Sequence, residues 1–264
     1  MSLVSVQSSS HWYHKDGSSC HQVPMATKPG QMRSTNLTDA RKLGLLPSIT
    51  NYLGILDKPM LSAWRVEQGI LAALTLPRID GETDDDFAKR VVHDSESQVT
   101  QAADRGTAIH NLLENYLLGL PIDQNSPYLN LVLPTIEWLS RNVKLCHYTE
   151  KTVVHPKFAG RLDMKAEIAG VGIAVIDFKT RKKTKDGKFL VYPENGLQLS
   201  AYLEADKLGC EPEYHATDRI SIIIGSEEAG EPHIHVWDRA DHEASYEAFL
   251  AITTVWSFLK KYNP

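Results

Sequence analysis

Two charged residues near the middle of the chain could take part in catalysis. Asp177 and Lys179 stand at the end of the run IAVIDFKT, whose β-branched, apolar character predicts a strand buried on both faces. Alternate residues of a strand share a face, so we expect the two side chains about 7 Å apart on one face. An Asp-x-Lys pair is also common by chance, and a strand that emerges into solvent after Ile176 would explain it without any chemistry.

Asp163 strengthens the case for a catalytic role of Asp177 and Lys179. It lies in GRLDMKAEI, whose strict alternation predicts a half-buried strand over 160–168 with one apolar face formed by Leu162, Met164, Ala166 and Ile168. A three-residue turn over 169–171 would pair the two strands so that Asp163 lies opposite Asp177. Like charges directly opposite each other destabilise a sheet, and a divalent cation bound by both carboxylates would relieve that repulsion.

The ligand chemistry of this pair favours Mg²⁺ or Mn²⁺. Carboxylates are hard oxygen ligands, and the backbone carbonyl of Phe178 lies between the two functional side chains as a further candidate ligand. Beside such a metal, Lys179 could orient or help to deprotonate a water, or offset the charge of a phosphate.

A helix upstream supplies two more candidate ligands. Residues 101–118 carry an apolar stripe at helical spacing, and Gly119 provides a C-terminal stop; the stripe consists of Ile109, Leu112, Leu113, Tyr116 and Leu117. His110 and Glu114 are four residues apart, so they project from the same side of this helix. The spacing alone does not choose between them.

The remaining pattern predicts an α/β chain that alternates between helices and strands. Pro59 divides a helix pair over 48–74, and the acidic segment 80–86 fits a solvated loop or a helix start better than a metal cluster. Later elements are a helix over 128–143, a basic loop over 181–188, a helix over 197–209, strands over 219–225 and 232–238, and a helix over 243–260.

The domain organisation predicted from these elements is simple. Residues 1–35, rich in Ser, His and Gly, form an N-terminal extension with a hairpin around Asp16-Gly17, and 36–264 form one domain. The His and Cys residues of the extension fit no zinc-ligand spacing.

Composition narrows the class of protein. The chain has 264 residues, 42% of them apolar, which suits an ordinary globular protein and excludes a disordered or collagen-like one. Its formal net charge of −5 excludes a uniformly basic nucleic-acid coat, so any contact with DNA must be local. Three scattered cysteines, no signal-peptide pattern and no long apolar run predict a cytoplasmic protein that does not enter a membrane.

The order of these motifs resembles the PD-(D/E)XK nuclease superfamily, specifically its RecB-like exonuclease branch. The matching motifs are Gly160-x-x-Asp163, Asp177-x-Lys179, Gln198-x-x-x-Tyr202 and the upstream segment RGTAIH with Glu114, and together they cover roughly 100 to 202. Glu150 also stands where this branch often has an acid. The N-terminal stretch, including LPSIT at 46–50, is similar to phage-encoded members, a weaker match.

This resemblance implies a restriction-endonuclease-like fold: a mixed central β-sheet flanked by helices, with N-terminal helical additions and a catalytic core at about 100–240. It implies that Asp163 and Asp177 bind Mg²⁺ or Mn²⁺, that His110 or Glu114 completes the site, and that Lys179 positions the attacking water. Gln198 and Tyr202 would contact DNA or orient the lysine, although a surface Gln and a core Tyr are the plain alternative. The basic residues Arg181, Lys182, Lys183, Lys185 and Lys188 would bind phosphates, or form a merely solvated loop.

We therefore expect metal-dependent hydrolysis of DNA by an exonuclease in a bacterial or phage-infected cell. The expected partners are DNA and a recombination protein. Three scattered cysteines do not suit an iron-sulfur cluster, and the chain has no P-loop sequence, so we expect a stand-alone nuclease of open oligomeric state. Two alternatives remain: a catalytically silent DNA-binding or assembly module of the same fold, and a magnesium-dependent hydrolase of small phosphorylated substrates.

Overall fold

The structure is a computed structural model that describes residues 11–264; the start of the predicted extension, 1–10, lies outside the described residues. In chain order its strands are β1 (Trp12–Tyr13), β2 (Gln22–Pro24), β3 (Met32–Ser34), β4 (Leu46–Pro47), β5 (Val143–His155), β6 (Phe158–Ile168), β7 (Gly172–Arg181), β8 (Asp218–Gly225) and β9 (His233–Trp237). Its α-helices are α1 (Leu37–Leu43), α2 (Ile49–Leu53), α3 (Pro59–Thr75), α4 (Asp84–Leu117), α5 (Leu129–Asn142), α6 (Pro193–Lys207) and α7 (His242–Lys260).

A five-stranded sheet of order β5-β6-β7-β8-β9 lies at the centre. β7 and β8 are parallel, and the other neighbouring pairs are antiparallel. α4 and α5 cover one face of the sheet, and α2, α6 and α7 cover the other. A separate apolar cluster lies between the sheet and each of these two groups of helices. This mixed central sheet flanked by helices confirms the predicted α/β class.

The turn between β6 and β7 sets the register on which the site depends. Gly170 and Gly172 both have positive φ, +75° and +126°, a conformation that glycine adopts without steric cost. The ladder pairs Ile168 with Gly172 and continues to Met164 opposite Ile176, as the predicted three-residue turn requires. Asp163 and Asp177 are the next residues on their strands, and beyond Met164 the ladder stops.

The prediction for β6 was wrong in two respects. Lys165 is buried because α6 covers the face that we expected to be solvated. Leu162 packs in the cluster around α6, whereas Met164, Ala166 and Ile168 pack in the cluster around α4 and α5. Between Leu162 and Met164 the pairing with β5 is interrupted beside Asp163: Met164 pairs with Thr149 and Leu162 with Lys151, without a paired residue between.

Two elements differ from the sequence predictions in extent. β5, a strand of 13 residues at the sheet edge, was not predicted, because its partly exposed residues follow no clean alternation. α4 begins at Asp84, well before the predicted start at 101, since the Thr83 hydroxyl caps it and three aspartates occupy its first turn. Its polar first half packs against α3.

Residues 11–35 contribute to the packed structure. A tight turn at Asp16-Gly17 closes on a bridge between Tyr13 and Ser19, at the predicted hairpin position, and β2 pairs with β3 in a second hairpin. Trp12 is buried against Trp256 of α7, with ring centroids 6.3 Å apart. Among the described residues, no helix has the length and apolar character needed to cross a membrane.

A buried ion pair joins β6 to α6. The Lys165 ammonium donates to Asp206 at 2.5 Å, and the hydroxyl of Tyr148 donates to the same carboxylate. Both charged side chains are almost fully buried. Because each charge depends on the other for compensation, the pair ties the central strand to the helix that covers the site.

Removal of one member should therefore destabilise the protein strongly. We expect Lys165→Met to lower the free energy of unfolding by about 3–5 kcal/mol, since it leaves the Asp206 carboxylate buried without its cation. Lys89→Ala, which removes an exposed lysine on α4, should change it by less than about 0.5 kcal/mol. Urea denaturation measures both values, and equal losses for the two variants would contradict this account.

Candidate metal centre

The structure places Asp177 and Lys179 together on β7, as predicted. Asp177 is only 3% exposed, and Lys179 donates from Nζ to its Oδ1 at 2.8 Å. The other oxygen, Oδ2, is also buried and lies 2.7 Å from the same ammonium, and no other described residue donates a hydrogen bond to it. The Asp177 carboxylate thus depends on Lys179 for compensation of its buried charge.

Asp163 lies next to this pair. Its Oδ2 accepts a hydrogen bond from the backbone N–H of Phe178 at 2.8 Å. Burial, together with the neighbouring Asp177 charge, raises the pKa of the Asp163 carboxyl to about 7. Phe178 thus contributes its N–H to the site, and the role of its carbonyl as a metal ligand stays a prediction.

A second acid and a histidine complete a compact cluster. Ligand atoms of His110, Glu150 and Asp163 all lie within 4.8 Å of one another. His110 Nε2 is 3.4 Å from Glu150 Oε1, and that contact is the main cause that raises the pKa of His110. The structure therefore groups two carboxylates with one imidazole, from α4, β5 and β6, and Asp177 of β7 lies close enough to affect the pKa of Asp163.

Glu150 reaches this cluster through an unusual backbone. Its φ is +51°, in the left-handed region that residues other than glycine rarely adopt. It falls where the pairing between β5 and β6 is interrupted, directly beside Asp163. Uncommon backbone geometry of this kind concentrates at functional sites.

Glu114, the alternative to His110, has a different contact. Arg161 of β6 donates from Nη2 to Glu114 Oε1 at 2.5 Å, and its Nε lies 2.5 Å from Glu150 Oε2. Arg161 therefore bridges the two glutamates and holds Glu150 in the cluster. The structure brings His110, rather than Glu114, among the carboxylates.

Gln198 and Tyr202 lie on α6 above the two aspartates, and both are buried. Gln198 Nε2 donates to the Tyr202 hydroxyl at 3.4 Å. Burial, and then the charges of Asp163 and Asp177, raise the pKa of Tyr202, so this residue stays a neutral phenol beside the acids. A Cβ at Gly160 would lie 2.7 Å from the Tyr202 ring, so glycine is needed there to seat the tyrosine.

The predicted basic residues follow β7 in differing environments. Arg181 is half-buried: it donates to Asn195 at 2.9 Å and lies over the Tyr192 ring. Lys182 pairs with Glu227, and Lys183 lies over the Phe189 ring. Lys185 is exposed, and Lys188 lies 3.5 Å from Asp186. Arg181 is thus committed to protein contacts, while the lysines are largely accessible.

Sequence reasoning missed two contributors near this cluster. The bridging role of Arg161 depends on Glu114, which is 47 positions away, so no local pattern reveals it. Tyr13 lies close enough to Arg161 and Glu150 for both to affect its pKa, which burial raises. Because Tyr13 lies in a segment expected to be an extension, its position near the site could not be predicted from the sequence.

The donor set fits a divalent cation. Asp177, Glu150 and Asp163 offer three carboxylates close to one another. Lys179 contacts Asp177 and Arg161 contacts Glu150, while Asp163 accepts a hydrogen bond from the Phe178 N–H and, among the described residues, has no cation in direct contact. Oxygen ligands with one imidazole are a chemically reasonable set for such an ion.

Comparisons with known proteins identify no family. No protein-family model matches the chain, and no curated protein does. Among solved structures, one titled "Crystal structure of SSO0001" is 13% identical, and the match covers 73% of this chain and 86% of that chain. Its TM-score is 0.28, too low to bear on fold or function.

The raised pKa of Asp163 predicts a pH dependence of stability in the metal-free protein. Because folding raises this pKa from 3.8 to about 7, Asp163 favours the folded state fully below about pH 4, and this contribution is lost as pH rises through 7. In EDTA, the free energy of unfolding of the wild type should therefore fall more between about pH 5 and 8 than that of Asp163→Asn. Urea denaturation at each pH measures this, and equal pH slopes would contradict the prediction.

The two candidate ligands on α4 can be separated by metal binding. We expect His110→Ala to weaken Mn²⁺ binding at least about tenfold, because it removes a donor atom from the cluster. Glu114→Gln should weaken it about threefold or less, since Glu114 acts only through Arg161. Isothermal titration calorimetry gives both affinities, and a larger loss for Glu114→Gln would reverse the assignment.

Proposed function

We propose that this chain is a metal-dependent DNA nuclease, most simply an exonuclease, of the RecB-like branch of the PD-(D/E)XK superfamily with its restriction-endonuclease-like fold. One observation carries the proposal: Asp163 lies in a compact cluster with Glu150 and His110, and beside it stands the buried carboxylate of Asp177 with Lys179 in direct contact. Several acids gathered in one largely buried place repel one another, and a bound divalent cation would relieve that repulsion.

The residues take distinct parts in the proposed reaction. Asp163, Asp177, Glu150 and His110 would hold Mg²⁺ or Mn²⁺, which when bound supplies Lewis acidity and makes a water more acidic. Lys179, about one-quarter exposed and in contact with Asp177, would orient the attacking water or a phosphate oxygen. Tyr202 and Gln198 form the wall behind the acids and exclude solvent there.

The approach of DNA would use local positive charge, since the whole chain is acidic. Lys182, Lys183 and Lys185 follow the catalytic strand directly and are accessible enough for phosphate contacts. Arg161, half-exposed at the mouth of the cluster, adds a further cation. The setting that we propose, DNA recombination in a bacterial or phage-infected cell with a partner protein, rests on the sequence resemblance alone.

Cleavage of labelled DNA tests the proposal. Purified protein is incubated with end-labelled linear DNA and with circular DNA, single- and double-stranded, in Mg²⁺, Mn²⁺ or EDTA. We expect degradation of linear DNA only, abolished by EDTA. Asp177→Ala and Lys179→Ala should each lower the rate at least about a hundredfold, because they remove a metal ligand and the residue that orients the nucleophile.

Matched controls separate the alternatives. Lys144→Ala, which removes an exposed lysine from β5, should leave the rate within about twofold of the wild type. A folded, Mn²⁺-binding wild type that cleaves no DNA would favour the silent DNA-binding module. Metal-dependent release of phosphate from nucleotides without cleavage of DNA would favour the small-substrate hydrolase.

A further inference from the structure

A continuous row of aromatic rings lies beside the candidate metal centre. His233, His235 and Trp237 alternate along β9, and Phe189, from the loop after β7, lies against His233. Consecutive ring centroids are 6.3, 6.4 and 4.5 Å apart from Phe189 to Trp237. We call these four residues the aromatic strip. His233 is exposed, and the other three are half-buried.

The strip shares a sheet face with the catalytic candidates. Asp177 pairs with Ser221 on β8, and Ser221 pairs with His235 on β9, so the three side chains occupy one row across the sheet. At about 4.8 Å per strand, His235 lies about 10 Å from Asp177. A hydrogen bond of 3.1 Å from Trp237 Nε1 to Ser221 Oγ fixes the far end of the strip against the sheet.

The charges around the strip favour a polyanion with flat, apolar groups. The Lys183 ammonium lies 5.6 Å from the centre of the Phe189 ring, so cation and ring form one surface. Burial and the neighbouring His233 lower the pKa of His235, which therefore presents an uncharged ring at pH 7. Lys182 is exposed nearby, but its ammonium is paired with Glu227 at 2.9 Å, so Lys183 supplies the cation of this surface.

We propose that the aromatic strip and Lys183 bind a single-stranded segment of the DNA substrate, with unpaired bases stacked on the Phe189 and His233 rings, while the Trp237 ring packs against Gly196 of α6 and supports the strip. The proposal rests on the nuclease function proposed above and adds the form of the substrate next to the site. Only unpaired bases expose their faces for stacking on protein rings. His233 is exposed and Phe189 is half-buried, so these two rings form the accessible end of the strip.

Equilibrium binding without cleavage tests this inference. Fluorescence anisotropy in EDTA compares a labelled oligo-dT of about 20 nucleotides with a duplex of equal length. We expect Phe189→Ala and His233→Ala each to weaken oligo-dT binding roughly five- to twentyfold, with duplex binding changed less than about twofold. Lys183→Ala should lower the slope of log affinity against log salt by about 0.7.

Two further variants guard the interpretation. Phe189→Leu keeps an apolar side chain without an aromatic face, so it should weaken oligo-dT binding while the protein stays folded. Tyr214→Ala, which removes an aromatic residue that is 48% exposed beyond the far end of α6, should leave binding unchanged.

The outcomes separate this inference from the nuclease proposal. Unchanged oligo-dT affinity in the Phe189 and His233 variants would contradict the proposed role of the aromatic strip, even if the protein cleaves DNA. Equal losses for oligo-dT and duplex would also overturn it, because they indicate a merely electrostatic surface. If these variants lose oligo-dT binding selectively but the wild type cleaves no DNA, the result would support single-strand binding by the aromatic strip and contradict the proposed nuclease activity.

Discussion

The carboxylate of Asp163 accepts a hydrogen bond from the backbone N–H of Phe178 where β6 and β7 cease to pair. The side chain thereby satisfies a backbone donor that the neighbouring strand no longer reaches, and the two strands can separate. This separation leaves space on the sheet for Asp177 and for the ligand atoms of His110 and Glu150. Because β6 and β7 are central strands packed on both faces, the acids are held on a rigid support rather than on mobile loops.

Much of this arrangement could be predicted from the sequence because its causes are local. A turn with glycines at 170 and 172 determined the hairpin register, and that register alone placed Asp163 beside Asp177. Helical spacing on α4 placed His110 near the strands, and four-residue spacing on α6 placed Gln198 beside Tyr202. In each case a short-range geometric rule connects residue spacing to position.

The features that were missed depend on contacts between distant parts of the chain. Lys165 was predicted to be solvated because its partner, Asp206, is 41 positions away on a helix that covers the sheet. The edge strand β5 carries no clean alternation, so neither its existence nor the position of Glu150 in the cluster followed from periodicity. Arg161 illustrates the same limit, since its two glutamate partners come from different elements.

At Glu150, the left-handed backbone lowers the stability of the fold, while the side chain contributes a carboxylate to the candidate metal site. Glycine adopts this conformation freely, whereas a side chain there costs about 1–2 kcal/mol. Glu150 is therefore a residue that a search for thermostable variants would discard and that a search for active ones would keep. Libraries selected separately for heat resistance and for metal-dependent activity should diverge at this codon, and the divergence would reveal which property the natural sequence has been under pressure to maintain.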